Sequence, residues 1–238
     1  MPGLGTIINT AAIVVGGLLG LLFKSLLSKS MEDTLLKANS VCVLFIGIGG
    51  AMQHMLKITD GALETSGSMM LIICFVLGSI VGELLDIEGA FERFGAWLRK
   101  KTHNESDTGF LSAFIHASLT VCIGAMAIVG SIQDGLLGDS SLLCAKAALD
   151  AVTILVMTAS MGKGCIFSAI PVALLQGGVT LLSRVLAPVF TEAAIANLSY
   201  TGSVMIFCVG LNLVWGKKIK VANLLPTLVF AVLYALVF

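Results

Sequence analysis

Charge is scarce in this chain of 238 residues. Only 12% of the residues are Asp, Glu, Lys or Arg, whereas soluble domains carry roughly 25%. Hydrophobic residues make up 57% of the chain, which is more apolar surface than one soluble core absorbs. Soluble globular folds are therefore excluded. The sequence predicts an integral membrane protein whose main partner is the lipid bilayer.

Other absences exclude further classes of function. The formal net charge is zero, and no basic stripe with interleaved aromatic residues is present, so binding to nucleic acid is not expected. A G-x-x-x-x-G-K-[ST] motif is missing, which argues against an ATP-driven pump. The six cysteines lie singly in apolar runs without C-x-x-C spacing, so we expect packing residues and neither a metal site nor a cofactor.

Runs with few charges, each close to the ~20 residues of a spanning helix, recur along the whole chain. They predict an all-α polytopic bundle, residues 1–238 forming one membrane domain, with eight spans near 4–24, 38–56, 66–86, 109–132, 141–161, 164–183, 197–215 and 220–238. The Gly-rich segment 128–139 is either a re-entrant or broken segment or a surface turn. Residues 82–107 predict an amphipathic helix along the membrane surface.

The positive charges divide the connections between spans into two groups. Lys and Arg concentrate in the cytoplasmic loops of membrane proteins. In this chain they fall mostly in the first, third, fifth and seventh connections: Lys24, Lys29, Lys37; Arg93, Arg99, Lys100, Lys101; Lys163; and Lys217, Lys218, Lys220. The other connections hold Lys57 and Arg184. Eight spans with the Lys/Arg-rich connections inside predict that both termini are extracytoplasmic.

The two ends of the chain resemble each other. "GTIINTAAIVVGGLLGLLFKSLL" from Gly5 is similar to "GCIFSAIPVALLQGGVTLLSRVL" from Gly164. We expect repeat arms at 5–85 and 164–238 around a central helix pair, 109–162. Five spans precede the second arm. Because this number is odd, the second arm enters the membrane from the opposite side and is inverted relative to the first.

Ionisable residues inside a membrane cost a few kcal/mol each and tend to face a cavity or one another. Lys146 and Asp150 are four residues apart and hence on one helix face. They form either a self-neutralising pair that lets the fifth span insert, or a site where Asp150 exchanges Lys146 for a cation or proton. Gln133 and Asp134 stand among glycines and offer oxygen ligands for a hard cation such as Na⁺. The alternative is an exposed turn.

The remaining candidates are polar groups within spans or at their ends. Glu83 and Asp86, three apart at the foot of the third span, are either cation ligands or interfacial salt-bridge partners. Asn9 and Gln176 lie in the two repeat arms and are either ligands or interhelical hydrogen-bonding residues. His116, in the fourth span, is either a proton relay or a hydrogen-bonded structural residue.

Five stretches carry a resemblance to a known family: "GTIIN", "GELLDIEG", "GAMAIVGSIQDGL", "FSAIPVALLQGG" and "KKIKVANLLP", in this order. Together they make the whole chain resemble the YqgA-like bacterial inner-membrane family, domain of unknown function 554. The resemblance implies a multi-pass protein of the bacterial cytoplasmic membrane without an established activity, for which a sodium channel or pump has been suggested. It supplies no catalytic residues.

The function that these residues favour is a gradient-driven transporter or channel for a small cation, Na⁺ or H⁺, or for a small solute. The alternative is a non-transporting membrane scaffold or regulator, in which the intramembrane charges satisfy one another. An intramembrane hydrolase using Asp134 and Asp150 is disfavoured because the Gly-x-Gly-Asp pattern is missing, so an enzyme is not expected. Small-xxx-small pairs are compatible with a homo-oligomer.

Overall fold

The computed structural model describes residues 2–24, 26–59 and 61–237. Within these ranges the chain forms eleven α-helices, so the predicted all-α polytopic bundle is confirmed. The helices are α1 (Leu4–Lys24), α2 (Lys29–Met55), α3 (Ser68–Leu85), α4 (Ile87–Lys101), α5 (Phe110–Cys122), α6 (Ala125–Leu137), α7 (Ser141–Met161), α8 (Ala169–Leu181), α9 (Ser183–Leu186), α10 (Glu192–Trp215) and α11 (Pro226–Val237). Short 3-10 helices, Lys163–Ser168 and Val221–Leu224, precede α8 and α11.

A small β-hairpin between α2 and α3 was not predicted from the sequence. Strands β1 (Leu56–Thr59) and β2 (Ala62–Thr65) pair in antiparallel register, with Leu56 opposite Thr65. Strands of four residues are too short for a clear alternating pattern. The Asp-Gly dipeptide at 60–61 is, however, a known hairpin signal, and Gly61 has a φ of 79°.

Six helical segments in the described ranges are long and apolar enough to cross a membrane: α1, α2, α3, α7, residues 163–181 and α10. Helices α5 and α6 are bent by 60° relative to each other; if they are counted together as one span, the number of spans rises to seven. The apolar segment Val221–Val237 is shorter. The structure therefore gives six or seven full-length spans and one short apolar helix where the sequence predicts the eighth.

The direction of α7 bears on whether the bent pair crosses the membrane or turns back. Helices α1 and α7 run in the same direction, since Gly5 lies against Leu143 and Gly20 lies further along, against Leu155. After three crossings and a re-entrant pair, α7 would run opposite to α1. The shared direction is the one expected when α5–α6 makes a single bent crossing.

The break in this crossing lies earlier than predicted. It falls at residues 123–124, where Gly124 has a φ of 153° that side chains other than glycine rarely adopt. Most of the segment 128–139 is helical and belongs to α6. The glycines in α6 do not break it; Gly130 and Gly135 lie within the helix and give room to Leu143 and Ser183. The surface-turn alternative is wrong because Asp134 is fully buried.

Helices from the two predicted repeat arms pack against each other in antiparallel pairs. Helix α1 pairs with α8, α2 with α10 and α3 with α11. Gly78 of α3 meets Thr227 of α11, and Gly82 meets Asn223 in the 3-10 helix before α11. A two-fold axis in the membrane plane would make equivalent helices of the two arms run in opposite directions, as these pairs do. The inverted repeat itself stays a prediction.

Connections rich in Lys and Arg meet at one end of the bundle. Lys24, the last residue of α1, approaches Gly162, after α7. Lys217, after α10, pairs with Glu88 of α4 at 3.0 Å. Helix α1 begins and α11 ends at the opposite, Lys/Arg-poor end. The two groups of connections therefore occupy opposite ends, as the charge pattern predicts.

The amphipathic segment forms a helix of its own. Asp86, with a φ of 48°, ends α3 and caps α4 by accepting a hydrogen bond from the Gly89 amide at 3.2 Å. The apolar face of α4 packs against α5, where the ring centroids of Phe94 and Phe114 are 5.9 Å apart. Trp97 is exposed. The turn at Asp86 therefore separates α4 from the third span.

Candidate ion-binding site

Glycines allow α1 to approach α7 closely. A Cβ atom on Gly16 would overlap the carbonyl oxygen of Ala151, and one on Gly20 would lie 2.5 Å from the carbonyl oxygen of Leu155. Small residues at such positions let transmembrane helices touch through their backbones. The close contact brings the polar side chain of Asn9, on α1, against α7.

At this contact lies an ion pair inside the bundle. Lys146 Nζ donates to both carboxylate oxygens of Asp150, at 2.8 and 2.7 Å. Asn9 Nδ2 donates to Asp150 Oδ2 at 3.0 Å. Lys146 is 8% exposed, Asp150 6% and Asn9 0%. The (i, i+4) pair that the sequence predicts is therefore formed, and it is joined by a residue 141 positions earlier in the chain.

A second carboxylate lies at the start of α1. Asp134, on α6, accepts a hydrogen bond from the Gly5 backbone amide at 3.0 Å through Oδ2. Backbone amides in the first turn of a helix lack helical partners and favour a negative charge. Its other oxygen, Oδ1, is buried and has no hydrogen-bond partner among the described residues.

The expected direct contact of Asp134 with Lys146 and Asp150 is not formed within the described part of the chain. The two carboxylates are connected through α1 instead, because Gly5 and Asn9 are one helical turn apart, roughly 6 Å along the axis. A sequence does not show which backbone amide donates to which side chain, so the role of Gly5 could not be predicted.

Gln176 enters the same region from α8. The hydroxyls of Thr6 and Thr180 are 3.5 Å apart, and Gly17 of α1 contacts Ile166 at the other end of this antiparallel pair. This register places Gln176, one turn before Thr180, level with Asn9. Gln176 is 1% exposed.

Unpartnered polar atoms accumulate at this level of the bundle. Among the described residues, Asn9 Oδ1 and both amide atoms of Gln176 are buried without a hydrogen-bond partner. Buried polar atoms are seldom left unpaired, because each costs roughly 1–3 kcal/mol. Asp134 Oδ1 is a further unpartnered atom near the start of α1. We call Asn9, Asp134, Lys146, Asp150 and Gln176 the α1–α7 site.

Asp150 is one of the residues that line a crevice of about 460 Å³. The crevice is lined by residues of α2, α5, α7 and α10 and is mostly apolar. Its polar lining comprises Asn39, Thr120, Thr153 and Asp150 itself.

Glu83 and Asp86 lie elsewhere, at the Lys/Arg-rich end. Glu83 accepts hydrogen bonds from Lys220 at 2.5 Å and from Asn223 at 2.7 Å. Asp86 accepts one from Arg93 at 2.9 Å, and this bond holds the pKa of the Asp86 carboxyl below its ordinary value. The bond to Glu83 raises the pKa of Lys220. Both carboxylates are thus salt-bridge partners at the end of α3.

Glu88 is a structural residue that the sequence analysis missed. It is 5% exposed and accepts a hydrogen bond from the Ala222 amide at 3.0 Å, while its own amide donates to Asn223 Oδ1 at 2.6 Å. Together with the ion pair to Lys217, these bonds hold α4 against the segment before α11. Nothing in the amphipathic pattern around Glu88 distinguishes it from its solvated neighbours.

His116 and Gln133 are also outside the α1–α7 site. His116 Nδ1 lies 2.8 Å from the Ser112 carbonyl oxygen, and the ring borders a cavity of about 240 Å³ that Glu88, Glu92 and Lys217 also line. This cavity belongs to the Lys/Arg-rich half of the molecule. Gln133 is partly buried, and its side chain forms no hydrogen bond with another described residue.

Comparison with known proteins agrees with the resemblance. A family model described as "Protein of unknown function (DUF554)" matches residues 4–236. The chain is 26% identical over 224 residues to the "Uncharacterized membrane protein YdfK" of Bacillus subtilis, covering 94% of this chain and 92% of the relative. It is 26% identical over 235 residues to the "Uncharacterized protein YqgA" of Escherichia coli, covering 96% and 94%. No solved structure matches.

Proposed function

We propose that this chain, which belongs to the DUF554 family, is a gradient-driven transporter or channel that binds one monovalent cation, Na⁺ or H⁺, at the α1–α7 site. Asp150 supplies the charge, and Asn9 and Gln176 supply neutral oxygens. The protein would act in the bacterial cytoplasmic membrane, with both termini outside.

The formal charge of the site carries this proposal. Asp134, Lys146 and Asp150 are the buried ionisable residues of α1, α6, α7 and α8 in the described chain. Two carboxylates and one ammonium leave one negative charge without a counter-charge inside the bundle. An unpaired buried charge is strongly unfavourable. One monovalent cation makes the site neutral, whereas a divalent cation or a neutral solute does not.

The unpartnered atoms support the same ligand. Asn9 Oδ1 and Gln176 Oε1 are buried acceptors level with Asp150. Carboxylate and amide oxygens are the ligands that hard cations prefer. The crevice that Asp150 borders also has the polar residues Asn39, Thr120 and Thr153 in its lining.

The proposal is tested by ion flux into proteoliposomes. Inward gradients of NaCl, KCl or LiCl are applied, and an enclosed ion indicator and a pH dye report cation and proton movement. We expect wild-type flux of one cation and, for Asp150→Asn, flux no greater than that of protein-free vesicles. Asp139→Asn is the matched control: it removes the same charge from an exposed position near the end of α6, so its flux should equal the wild-type flux.

Equal flux in wild-type protein and in Asp150→Asn contradicts the proposal. Flux no greater than that of protein-free vesicles for every cation and for protons favours the alternative, a non-transporting scaffold or regulator. The Lys146–Asp150 pair supports that alternative, because its two charges satisfy each other.

A further inference from the structure

We infer that Lys146 is a built-in cation that moves between two carboxylates: it pairs with Asp150 when no ion is bound and with Asp134 when an ion occupies Asp150. The inference rests on the proposed cation site. It assigns Asp134 a role distinct from that of a ligand, namely to receive the displaced ammonium group.

Lys146 lies between the two carboxylates along α7. Leu143, Lys146 and Asp150 are at positions i, i+3 and i+7, on one face of the helix. Asp134 is level with Leu143, because a Cβ atom on Gly5 would lie 2.7 Å from Leu143 Cβ and 3.1 Å from Asp134 Oδ2. Along α7, Asp134 therefore lies about one turn from Lys146 toward the N-terminus of the helix, and Asp150 lies about one turn from it toward the C-terminus.

The direction of the side chain favours such a movement. Helical side chains lean toward the N-terminus of their helix, which for Lys146 is the direction of Leu143 and Asp134. Its bond to Asp150 runs the other way, and a lysine placed N-terminal to its acidic partner is the less favourable order. The four-carbon stem of lysine has freely rotating bonds, so the ammonium group can change direction without a backbone change.

Unsatisfied atoms mark the receiving position. Asp134 Oδ2 already has the Gly5 amide as a donor, whereas Oδ1 has no partner in the described chain. An ammonium group at Oδ1 would satisfy that oxygen. Asp150, left by Lys146, would keep the Asn9 amide as a donor and gain the ion, which Asn9 Oδ1 and Gln176 Oε1 would complete. In this second arrangement each charge has a partner of opposite sign.

The exchange predicts how two substitutions combine. Asp134→Asn removes the receiving charge, so Lys146 competes more strongly with the ion and affinity falls. Lys146→Met removes the competitor, so affinity rises. In the Lys146→Met background, Asp134→Asn has a smaller effect, because no ammonium group remains to be received and only the attraction of the distant Asp134 charge for the ion is lost. If Asp134 were a ligand instead, its substitution would weaken binding at least as much in this background as in the wild type.

The measurement is titration of NaCl into purified protein in choline chloride, followed by isothermal calorimetry. We expect changes of at least about tenfold in Kd, downward for Lys146→Met and upward for Asp134→Asn, and a smaller change when Asp134→Asn is added to Lys146→Met than when it is made in the wild type. If Lys146→Met does not fold, Lys146→Gln, which keeps an amide donor toward Asp150, takes its place. Asp139→Asn, an exposed carboxylate, should leave Kd unchanged.

The outcomes separate the two proposals. Wild-type protein that binds no Na⁺ contradicts Na⁺ as the ligand of the proposed function, and with it this inference. Wild-type protein that binds Na⁺, together with an unchanged or weaker affinity in Lys146→Met, overturns the exchange while the binding site stands. A loss of affinity on adding Asp134→Asn to Lys146→Met that is as large as its loss in the wild type makes Asp134 a ligand and likewise overturns the exchange.

Discussion

Replacing Lys146 with methionine should destabilise the protein far more than the same change at Lys37. Each lysine is paired with an aspartate four residues away, Asp150 or Asp33. The Lys146–Asp150 side chains are 10% and 8% exposed, whereas those of Lys37 and Asp33 are 73% and 59% exposed. The two substitutions thus compare one chemical change in two surroundings.

The expected magnitudes follow from the surroundings. At 2.7 Å and an effective dielectric constant near 20, two unit charges attract by roughly 6 kcal/mol. Desolvation offsets part of this attraction, and removing one partner of a buried pair costs about 3–5 kcal/mol. An exposed pair contributes less than about 1 kcal/mol because water and salt screen it. Adding Asp150→Asn to Lys146→Met should recover most of the loss, since no unpaired charge then remains at Asp150.

The free energy of unfolding can be measured in mixed micelles with increasing SDS in choline chloride. Cys74 is 1% exposed and Cys165 0% exposed, so both should react with a thiol dye only after unfolding. Burial also shields their thiols from reagents in the folded state. Cys42 is exposed and is replaced by serine beforehand.

Equal stability losses for Lys146→Met and Lys37→Met would refute the reasoning, because burial would then have no effect on the cost. A double variant less stable than Lys146→Met would refute it as well. That result would show that Asp150 stabilises the bundle without its lysine.

Two further predictions concern packing and orientation. Gly16→Leu should push α1 away from the Ala151 carbonyl and break the Asn9–Asp150 contact, so both stability and ion flux should fall. Gly177→Leu is the control, because no atom lies close to a Cβ added at Gly177, and it should change neither stability nor ion flux. Cysteines introduced near Arg99 and Lys218 in a cysteine-free background should be shielded from an impermeant thiol reagent in intact cells. Labelling of only one of the two would contradict their placement at the same end.

The membrane class and many helix bounds could be predicted because they depend on local composition. Residues 141–161 are apolar enough to span, and α7 has these bounds. The pairing of Lys146 with Asp150 was equally accessible, since a separation of four residues fixes neighbours on any α-helix. The break in the fourth crossing was misplaced because several glycines stand close together, and sequence does not show which adopts a non-helical φ.

The α1–α7 site was predictable only in part. Asp134, Asp150, Asn9 and Gln176 stand out as polar groups in apolar runs, yet their partners lie far away in the chain. The Gly5 amide that binds Asp134 is 129 residues distant. Glu83 and Asp86 looked equally suitable as ligands, and only the folded chain shows that Lys220 and Arg93 are their partners.

The sequence by itself determined that the chain spans a membrane, that it forms helices, and which ends of those helices lie together, because hydrophobicity and charge act on each segment separately. Tertiary structure decided which polar groups meet. That depends on the close approach of α1 to α7, which Gly16 and Gly20 permit, and on the antiparallel register of α8. Contacts of this kind arise from packing between distant segments, so a local pattern cannot specify them.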